Sequence, residues 1–351
     1  MCDIGPALIE ALRSPVAGPP LAELLAGKQH VTVVVSDETR LEPRRAFLDA
    51  IGQFLGDRRL TIAIATGTHG PSRLEDLGIP GWLGRADQVV NHDGHSERDM
   101  VVVGHSQRGT TFRVHRCTVE TDLVILTGCI KPHYFAGFGA GSKALFPGLG
   151  ASREIRHNHT LKTEAGSVAG RLDGNPCRQD LEEILDGELP PIFLLNAIKD
   201  PEDGLQGAVA GEPRAALRRG AERARPWFRI RCPRARTIVV SDREPISSSL
   251  YQASKSVAAV ASLLEKGGTI VIAAQCRDGV GPVETVNRAI YEIGIKPRLP
   301  REHRIVLVSE LDRATVSQTY CEYQPSVEAA LDGEPALFLP RASSALVEVE
   351  G

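Results

Sequence analysis

Short runs of β-branched and aliphatic residues recur along the chain, separated by segments whose apolar positions repeat with helical spacing. Each run is bounded by Gly, Ser, Asp or Thr, which is the pattern of a buried strand between turns. The predicted strands are Val31–Val35, Leu60–Ala65, Val101–Val103, Leu123–Leu126, Thr237–Ser241, Thr269–Ala274, Arg304–Ser309 and Ala336–Leu339. Their regular recurrence predicts a fold that contains several short strands.

Three segments between these runs predict helices. Glu42–Leu55 places its apolar residues on one face, and Leu250–Lys266 ends at a Gly-Gly pair. Asn175 and Pro176 are typical of an N-cap and a first helical position, and the helix they open should run to about Leu185. Alternation of strands and helices indicates the α/β class, with mostly parallel sheets.

The chain of 351 residues is long enough for two domains. An Arg- and Pro-rich segment, Arg223–Pro233, indicates the boundary, so we expect domains over 1–232 and 233–351. In open α/β sheets ligands bind beyond the carboxyl ends of strands, so we expect an active-site cleft between the two α/β domains.

Composition excludes several classes of protein. The net charge of −3 gives no reason to expect nucleic acid, and the arginines from Arg218 to Arg236 are best read as a solvated helix face. Seven scattered cysteines without a C-x-x-C pair indicate neither a disulfide framework nor a thiolate zinc site. With no secretory signal and no apolar run of about 18 residues, we expect a cytoplasmic protein that does not enter membranes.

The densest chemical signal is a glycine-rich segment that follows the strand Leu123–Leu126. It reads Gly-Cys-Ile-Lys-Pro-His-Tyr-Phe-Ala-Gly-Phe-Gly-Ala-Gly-Ser-Lys-Ala-Leu-Phe-Pro-Gly over residues 128–148. Gly139 and Gly141 predict a loop whose amides are open to a ligand, as in phosphate-binding loops. Lys143 at its end can serve as a point charge or, once deprotonated, as a nucleophile. The spacing fits neither a Walker A loop nor G-x-G-x-x-G, and a glycine-rich turn with a surface lysine remains an alternative.

Histidines and charged residues cluster at strand ends near this segment. His133 precedes Lys143 by ten residues, and His69 follows the second strand in Thr-Gly-Thr-His. His69 is suited to proton transfer near neutral pH. Asp37 and Arg40 follow the first strand, where Arg40 could bind an anion; Ser36 and Asp37 could equally cap the next helix.

Two further positions suit binding. His157 and His159 are two apart, so on a helix they point to different faces and only one is a plausible metal ligand. A single histidine cannot hold a metal alone, so an organic ligand would supply the other donors. Gln252 and Lys255, three apart at a helix start, share a face and could reach an anion.

Together these residues resemble the lactate racemase family, the nickel-pincer enzymes, from about Val31 to Leu346. The motifs occur in the family's order. They read S-D-x-T-R at 36–40, G-x-H at 67–69, P-H-x-x-A-G-F at 132–138, G-x-K at 141–143, P-G at 147–148, a downstream histidine, G-N-P at 174–176 and Y-Q-x-x-K at 251–255.

The resemblance implies a cofactor, the nickel-pincer nucleotide, which is a nickel complex of pyridinium-3-thioamide-5-thiocarboxylic acid mononucleotide. By resemblance, Lys143 attaches it covalently through the thioamide, His159 is the nickel ligand, and Gly139, Gly141 and Asp37 line its pocket. The N-terminal domain would bind the cofactor, and the C-terminal domain would close the cleft.

The implied activity inverts the C2 stereocentre of a 2-hydroxy acid by proton-coupled hydride transfer to the cofactor. His69 and His133 match the two acid/base histidines, and Arg40, Gln252 and Lys255 match residues that orient the substrate anion. The implied partners are the small-molecule hydroxy acid and cofactor-biosynthesis proteins.

Departures from the family pattern put the substrate in doubt. Gly139-Ala140-Gly141 replaces a common Ser-Gly-Gly, Gly70 stands where Arg is common, and residues 275–281 lack the usual Gly-His-Gly. One alternative is therefore an epimerase of a longer sugar acid. Another is a non-catalytic nucleotide-binding homologue, against which the retained histidines argue. An NAD-dependent dehydrogenase lacks its glycine fingerprint here.

Overall fold

The computed structural model describes residues 4–281 and 290–350. Contacts between residues divide the chain into two compact units, 1–227 and 228–351. Each unit is built on a mostly parallel sheet with helices, which confirms the predicted α/β class with two α/β domains. The functional roles assigned to the two domains stay predictions.

The first unit is built on a six-stranded sheet in the order β10-β9-β6-β1-β2-β3. Its strands are β1 (His30–Ser36), β2 (Arg59–Ala65), β3 (Gln88–Asn91), β6 (Leu123–Ile130), β9 (Ile192–Lys199) and β10 (Leu205–Gly211). All neighbours are parallel except β9 and β10. The central strands are apolar at nearly every position because both faces of the sheet are covered, and β6 is buried throughout.

Two hairpins lie outside this sheet. They pair β4 (Met100–His105) with β5 (Thr111–His115), and β7 (Pro132–His133) with β8 (Gly137–Phe138). The predicted strand Val101–Val103 is therefore real, but it belongs to an antiparallel hairpin and not to the parallel sheet. The sequence analysis did not predict β3, β9 or β10.

The helices of the first unit are α1 (Gly5–Arg13), α2 (Leu21–Leu24), α3 (Arg44–Leu55), α4 (Pro80–Arg85), α5 (Ser152–Thr160), α6 (Pro176–Glu182) and α7 (Pro213–Phe228). Short 3₁₀ helices cover Leu74–Leu77, Arg116–Thr118, Gly141–Ala144, Leu161–Thr163 and Glu183–Asp186. Asn175 caps α6 as predicted, since its side chain accepts from the Arg178 amide. Helix α3 begins two residues later than predicted, with Pro43 at its N-cap position.

The second unit has a five-stranded parallel sheet in the order β15-β14-β13-β12-β16. The strands of this unit are β11 (Arg229–Cys232), β12 (Ala235–Ser241), β13 (Leu264–Ala273), β14 (His303–Val308), β15 (Glu322–Tyr323), β16 (Leu337–Pro340) and β17 (Leu346–Val349), with β11 paired to β17. Its helices are α8 (Leu250–Val260), α9 (Arg313–Ser317) and α10 (Val327–Leu331). Shorter 3₁₀ or π-helical turns cover Ile246–Ser248, Ala261–Leu263, Ile290–Ile295, Lys296–Arg298 and Ala342–Ser344.

One predicted helix in this unit is too long. Helix α8 ends at Val260, and Leu264–Lys266 already belong to β13, where Ala235 pairs with Leu264. The apolar pair Leu263 and Leu264 continues the helical spacing of α8, so the pattern alone could not locate the end of the helix. The predicted helix Leu250–Lys266 was therefore wrong over its last turn and a half.

Helix α7 uses its arginines within the first unit. The Arg218 guanidinium lies 3.0 Å from the Asp173 carboxylate and 3.5 Å from that of Glu182, and Arg225 donates to the Gly170 carbonyl at 2.6 Å. These contacts correct the interpretation of this stretch as a merely solvated face. Cys2 lies outside the described residues, and the other six cysteines are buried free thiols. No helix in the described ranges is long and apolar enough to cross a membrane.

Candidate active site of the N-terminal unit

The predicted site residues of this unit follow strands that end at one edge of its sheet. Strand β1 pairs in parallel with both β2 and β6, so the segments after these three strands leave the sheet on the same side. The loop after β2 is also bonded to the loop after Lys143, since Gly67 donates its amide to the Gly148 carbonyl at 2.9 Å. The chain thereby brings the Asp37, His69 and Lys143 segments to one edge.

His69 is held by a buried carboxylate. Asp37 Oδ2 lies 3.0 Å from His69 Nδ1, and the side chain of Asp37 is 4% exposed while that of His69 is 45% exposed. A carboxylate can only accept, so Nδ1 carries the proton in the neutral ring and Nε2 keeps its lone pair. His69 therefore presents a proton acceptor at Nε2.

The environment of Asp37 keeps it ionised. Burial alone would raise the pKa of Asp37, but hydrogen bonds from His69 and Thr39 and the charge of Arg40 outweigh it, so the pKa lies below its ordinary value. Asp37 Oδ1 accepts from the Thr39 amide at 2.9 Å and also contacts the Thr39 hydroxyl. The side chain of Asp37 thus closes a local turn and holds His69 at the same time.

Arg44 is a functional candidate that the sequence analysis did not identify. Its buried guanidinium donates to the carbonyls of Ser36 at 2.8 Å and Arg40 at 2.6 Å, and to that of Asp37. Because α3 begins at Arg44, neither Ser36 nor Asp37 caps it, and the capping alternative was wrong. A charged residue on the apolar face of a predicted helix was the available signal.

His133 has the opposite arrangement of its ring nitrogens. The Ala136 amide donates to His133 Nδ1 at 3.3 Å, so the neutral ring carries its proton on Nε2. Nε2 lies 3.2 Å from Lys143 Nζ. A ring that donates from Nε2 needs a lone pair on the amine, so this contact fits a neutral Lys143.

Lys143 lies in the short 3₁₀ helix Gly141–Ala144, half-buried, with Nζ 5.5 Å from the centre of the Phe135 ring. A ring face at such a distance favours the ammonium form, by about 0.5–1 kcal/mol at an exposed site and by more in a desolvated one. The hydrogen bond with His133 favours the free amine. An amine between an aromatic ring and a proton-bearing imidazole fits a nucleophile that forms a covalent link.

The glycine run does not form an open nest of amides. The Gly139 amide donates to Lys131 O at 2.8 Å, the Gly141 amide to Asn196 Oδ1 at 3.0 Å, and the Gly148 amide to Lys143 O at 2.9 Å. The expectation that the amides of Gly139 and Gly141 stand open to a phosphate was therefore wrong. The role of these two glycines in lining a cofactor pocket stays a prediction. It would depend on the space that residues without side chains leave for the cofactor.

Gly141 is required for a different reason. It has φ +68°, and a Cβ there would lie 2.7 Å from the Leu217 side chain. The preceding residue, Ala140, has φ 62° and ψ −157°, a conformation that only glycine adopts easily. Backbone strain therefore lies directly before the 3₁₀ turn that carries Lys143.

His159 lies on α5 with its ring against the same Phe135, the ring centroids being 5.1 Å apart. Its Nδ1 donates to the Ile155 carbonyl at 2.7 Å, which leaves the lone pair on Nε2. Burial lowers the pKa of His159 to about 4. His159 is thus neutral at neutral pH with one nitrogen able to bind a metal, whereas His157 is exposed.

Phe135 joins these three side chains and was not predicted from the sequence. Its ring contacts the rings of His133 at 4.6 Å and His159 at 5.1 Å, and the amine of Lys143 at 5.5 Å. Position 135 is one of the unspecified residues of the P-H-x-x-A-G-F pattern, so the sequence offered no signal for it. The tether and metal-ligand candidates therefore border one aromatic side chain.

These residues fit the predicted cofactor in kind. In the described part of the chain no group of three or more His, Cys, Asp or Glu could hold a metal ion, so a metal at His159 would take its other donors from a bound group. The buried Ser142 hydroxyl, next to Lys143, has no hydrogen-bond partner among the described residues. An orphaned hydroxyl beside a nucleophilic lysine suits a polar ligand.

Gln252 and Lys255 lie on α8 of the second unit, and Lys255 Nζ contacts Gln252 Oε1. The shared helix face predicted for them is confirmed. Ser249 caps this helix by accepting from the Gln252 amide at 3.3 Å. Their role in binding a substrate anion stays a prediction, as does that of the exposed Arg40.

The chain is similar in sequence to known lactate racemases. Residues 3–170 match the lactate racemase N-terminal domain. The lactate racemase of Thermoanaerobacterium thermosaccharolyticum is 27% identical over 334 residues, covering 86% of this chain and 78% of that protein. The lactate racemase of Lactiplantibacillus plantarum is 26% identical over 361 residues, covering 92% of this chain and 84% of that protein.

The fold agrees as well. The lactate racemase apoprotein structure from T. thermosaccharolyticum superposes with a TM-score of 0.89 at 24% identity, covering 99% of this chain and 93% of that one. The chain belongs to the lactate racemase family. It is accordingly an enzyme of the isomerase class, of the racemase type.

Proposed function

We propose that this enzyme inverts the C2 stereocentre of a 2-hydroxy acid with a nickel-pincer nucleotide attached to Lys143 and its nickel bound by His159. The observation that carries the proposal is the opposite placement of protons on two histidines. Nδ1 of His69 faces the Asp37 carboxylate, and Nδ1 of His133 faces the Ala136 amide. In the neutral rings His69 therefore has its lone pair at Nε2, where it can act as a base, and His133 has its proton there.

The chain's own residues move the hydroxyl proton. His69 takes it from one enantiomer at Nε2, and the Asp37 carboxylate stabilises the imidazolium that results. On the opposite side His133 acts as the acid in its imidazolium form, giving a proton from Nε2 and returning to the neutral ring, and the roles exchange for the other enantiomer by microscopic reversibility. The bound nucleotide supplies a reversible hydride acceptor.

In this proposal residues 1–232 carry the cofactor and both histidines. Arg40, Gln252 and Lys255 provide donors for the substrate carboxylate, for which a guanidinium and an ammonium are suited. Cofactor-biosynthesis proteins would load the apoprotein in the cytoplasm. Asp37, Gly139 and Gly141 would border the bound nucleotide.

Attachment at Lys143 is tested by mass. Protein co-expressed with cofactor-making enzymes should carry an added mass that maps to the Lys143 peptide, and Lys143→Ala should lose it. Lys131, an exposed lysine on the same segment, provides the control, since Lys131→Ala should keep the adduct. An adduct of undiminished yield in Lys143→Ala would reject the tether.

The metal ligand is tested by elemental analysis of the same preparations. His159→Ala should lose the bound nickel, because its neutral Nε2 would be the protein's donor. His157→Ala, two residues away on the exposed face of α5, is the matched control and should keep the metal. The reverse pattern would assign the ligand to His157.

The reaction is tested with substrates deuterated at C2, offered as lactate and as longer sugar acids. Racemisation with retention of the label is expected, because hydride does not exchange with water. Turnover with rapid washout of the label would indicate carbanion chemistry and overturn the proposal. The acid that turns over fastest identifies the substrate class.

A further inference from the structure

Four consecutive backbone carbonyls between His133 and Lys143 accept hydrogen bonds from one distant segment, residues 170–178. Phe135 O accepts from Asn175 Nδ2 at 2.8 Å, and Ala136 O accepts from Arg178 Nε at 3.0 Å. Gly137 O accepts from the Gly170 amide at 2.8 Å, and Phe138 O accepts from Arg178 Nη2. The segment thus holds the second half of the turn that connects β7 to β8, together with β8 itself.

Burying the guanidinium of Arg178 at this turn lowers the stability of the fold. It is fully buried, and burial lowers the pKa of its guanidinium. Its nearest carboxylate, Glu182 Oε1, lies 3.9 Å away, and neither that oxygen nor Arg178 Nη1 has a hydrogen-bond partner among the described residues. A buried charge with so little ionic compensation costs stability. The hydrogen bonds that Arg178 donates to the turn give a reason for an arginine at this position.

These hydrogen bonds lead directly to the predicted acid and the predicted tether. The peptide whose carbonyl is Phe135 O has the Ala136 amide as its other end, and that amide donates to His133 Nδ1 at 3.3 Å. Asn175 therefore orients the same peptide unit that sets the proton on His133. Arg178 holds the next peptide, and His133 Nε2 in turn lies 3.2 Å from Lys143 Nζ.

We infer that Asn175 and Arg178 are positioning residues that fix the Nε2–H tautomer of His133 and thereby hold Lys143 as a free amine ready for attachment. A donor on Phe135 O also polarises the peptide, which strengthens the Ala136 amide as a donor. The G-N-P motif followed by Cys177 and Arg178 thus acts on the chemistry through the backbone. The inference rests on the proposed function only in taking Lys143 as the attachment residue.

The first test measures the tautomer in the apoprotein labelled with ¹⁵N-histidine. Long-range ¹H–¹⁵N spectra should show the neutral His133 protonated on Nε2, with His133→Gln assigning the signal. In Asn175→Ser, which keeps a capping oxygen but removes the amide donor, the Nδ1 and Nε2 shifts should move toward each other. Arg178→Lys should act likewise because a single ammonium cannot reproduce the two-pronged contact.

Leu181→Ala is the matched control, since Leu181 is buried on the same helix and donates nothing to the turn. It loses packing while keeping Asn175 and Arg178 in place, so its His133 signal should match that of the wild type. A wild-type ring protonated on Nδ1 would overturn the inference without any variant. Unchanged His133 signals in folded Asn175→Ser and Arg178→Lys would also overturn it.

The second test measures how fast acetic anhydride modifies Lys143 in the apoprotein, by peptide mass spectrometry. We expect a several-fold slower reaction in Asn175→Ser, Arg178→Lys and His133→Gln, and no change in Leu181→Ala. Equal rates in all folded variants would reject the inference. Neither test uses cofactor or substrate, so a failure to racemise any hydroxy acid would overturn the proposed function and leave these results standing.

Discussion

His69 and His133 are the same residue type after strands β2 and β6, which flank β1, yet their neutral rings hold the proton on opposite nitrogens. A carboxylate faces Nδ1 of His69 at 3.0 Å, and a peptide amide faces Nδ1 of His133 at 3.3 Å. The first partner can only accept and the second can only donate, so each fixes one tautomer. The partner at Nδ1, and not the histidine itself, thus decides which neutral ring has its lone pair at Nε2.

The two sides are also alike in one respect. Each is held by a buried arginine that donates to more than one backbone carbonyl, Arg44 on the Asp37 side and Arg178 on the His133 side. Arginine suits this task because its planar fork reaches two acceptors in fixed geometry. The two arginines therefore position the site by holding its backbone.

Replacing either histidine by glutamine should have the largest effect. Each turnover uses one ring as base and the other as acid, so His69→Gln and His133→Gln should each slow racemisation by about 10²–10⁴-fold in both directions. Initial rates from each pure enantiomer provide the measurement. Initial rates at the wild-type level in either variant would contradict these roles.

Asp37→Asn should have a smaller effect on rate, about 10- to 10²-fold, because the amide keeps the shape but not the charge that stabilises the protonated ring. His95→Gln serves as the control, since that exposed ring contacts only the Thr68 carbonyl, at a long 3.4 Å, in the same loop. Equal rates in Asp37→Asn and the wild type would show that the carboxylate does not assist His69.

The same variant has a defined effect on stability as pH changes. The pKa of Asp37 in the folded protein lies below its ordinary value of 3.8, so the unfolded chain binds its proton first as pH falls. The stabilisation is therefore fully present above about pH 4 and is lost as pH falls through the lower folded pKa. Urea denaturation should show Asp37→Asn and the wild type converging in acid, whereas the exposed Asp57→Asn should show no such trend.

The smallest effect concerns backbone strain, which differs between the two sides. Ala140, on the Lys143 side, has φ 62°, whereas the loop of His69 places Gly67 at φ 60°. Ala140→Gly should stabilise the protein by about 1 kcal/mol, the strain relieved exceeding the entropy cost of glycine. Gly67→Ala should destabilise it by a similar amount, because alanine is strained at this positive φ. The added Cβ would make only an ordinary contact, at 3.6 Å, and so adds no clash. Thermal denaturation measures both, and changes of the same sign would contradict the comparison.

The sequence alone determined the class of fold and the identity of the chemical groups. Runs such as Val31–Val35 are apolar at every position but Thr32 because β1 is buried on both faces, so they were visible without a structure. Asp37, His69, His133, Lys143 and His159 could be named from motif order and residue chemistry. Strands β9 and β10 were not predicted, since Asn196 and Lys199 interrupt one and glycines the other.

Only the tertiary structure decided how these groups are used. The partners that fix the two tautomers, the Phe135 ring shared by Lys143 and His159, and the grip of Arg178 on carbonyls about forty residues away are contacts between segments far apart in the chain. The amides of Gly139 and Gly141 donate to acceptors within the protein, so the prediction that they are open to a phosphate was wrong. The hydrogen-bond partner of a backbone group depends on which segment packs against it in the fold. A local residue pattern does not identify that segment.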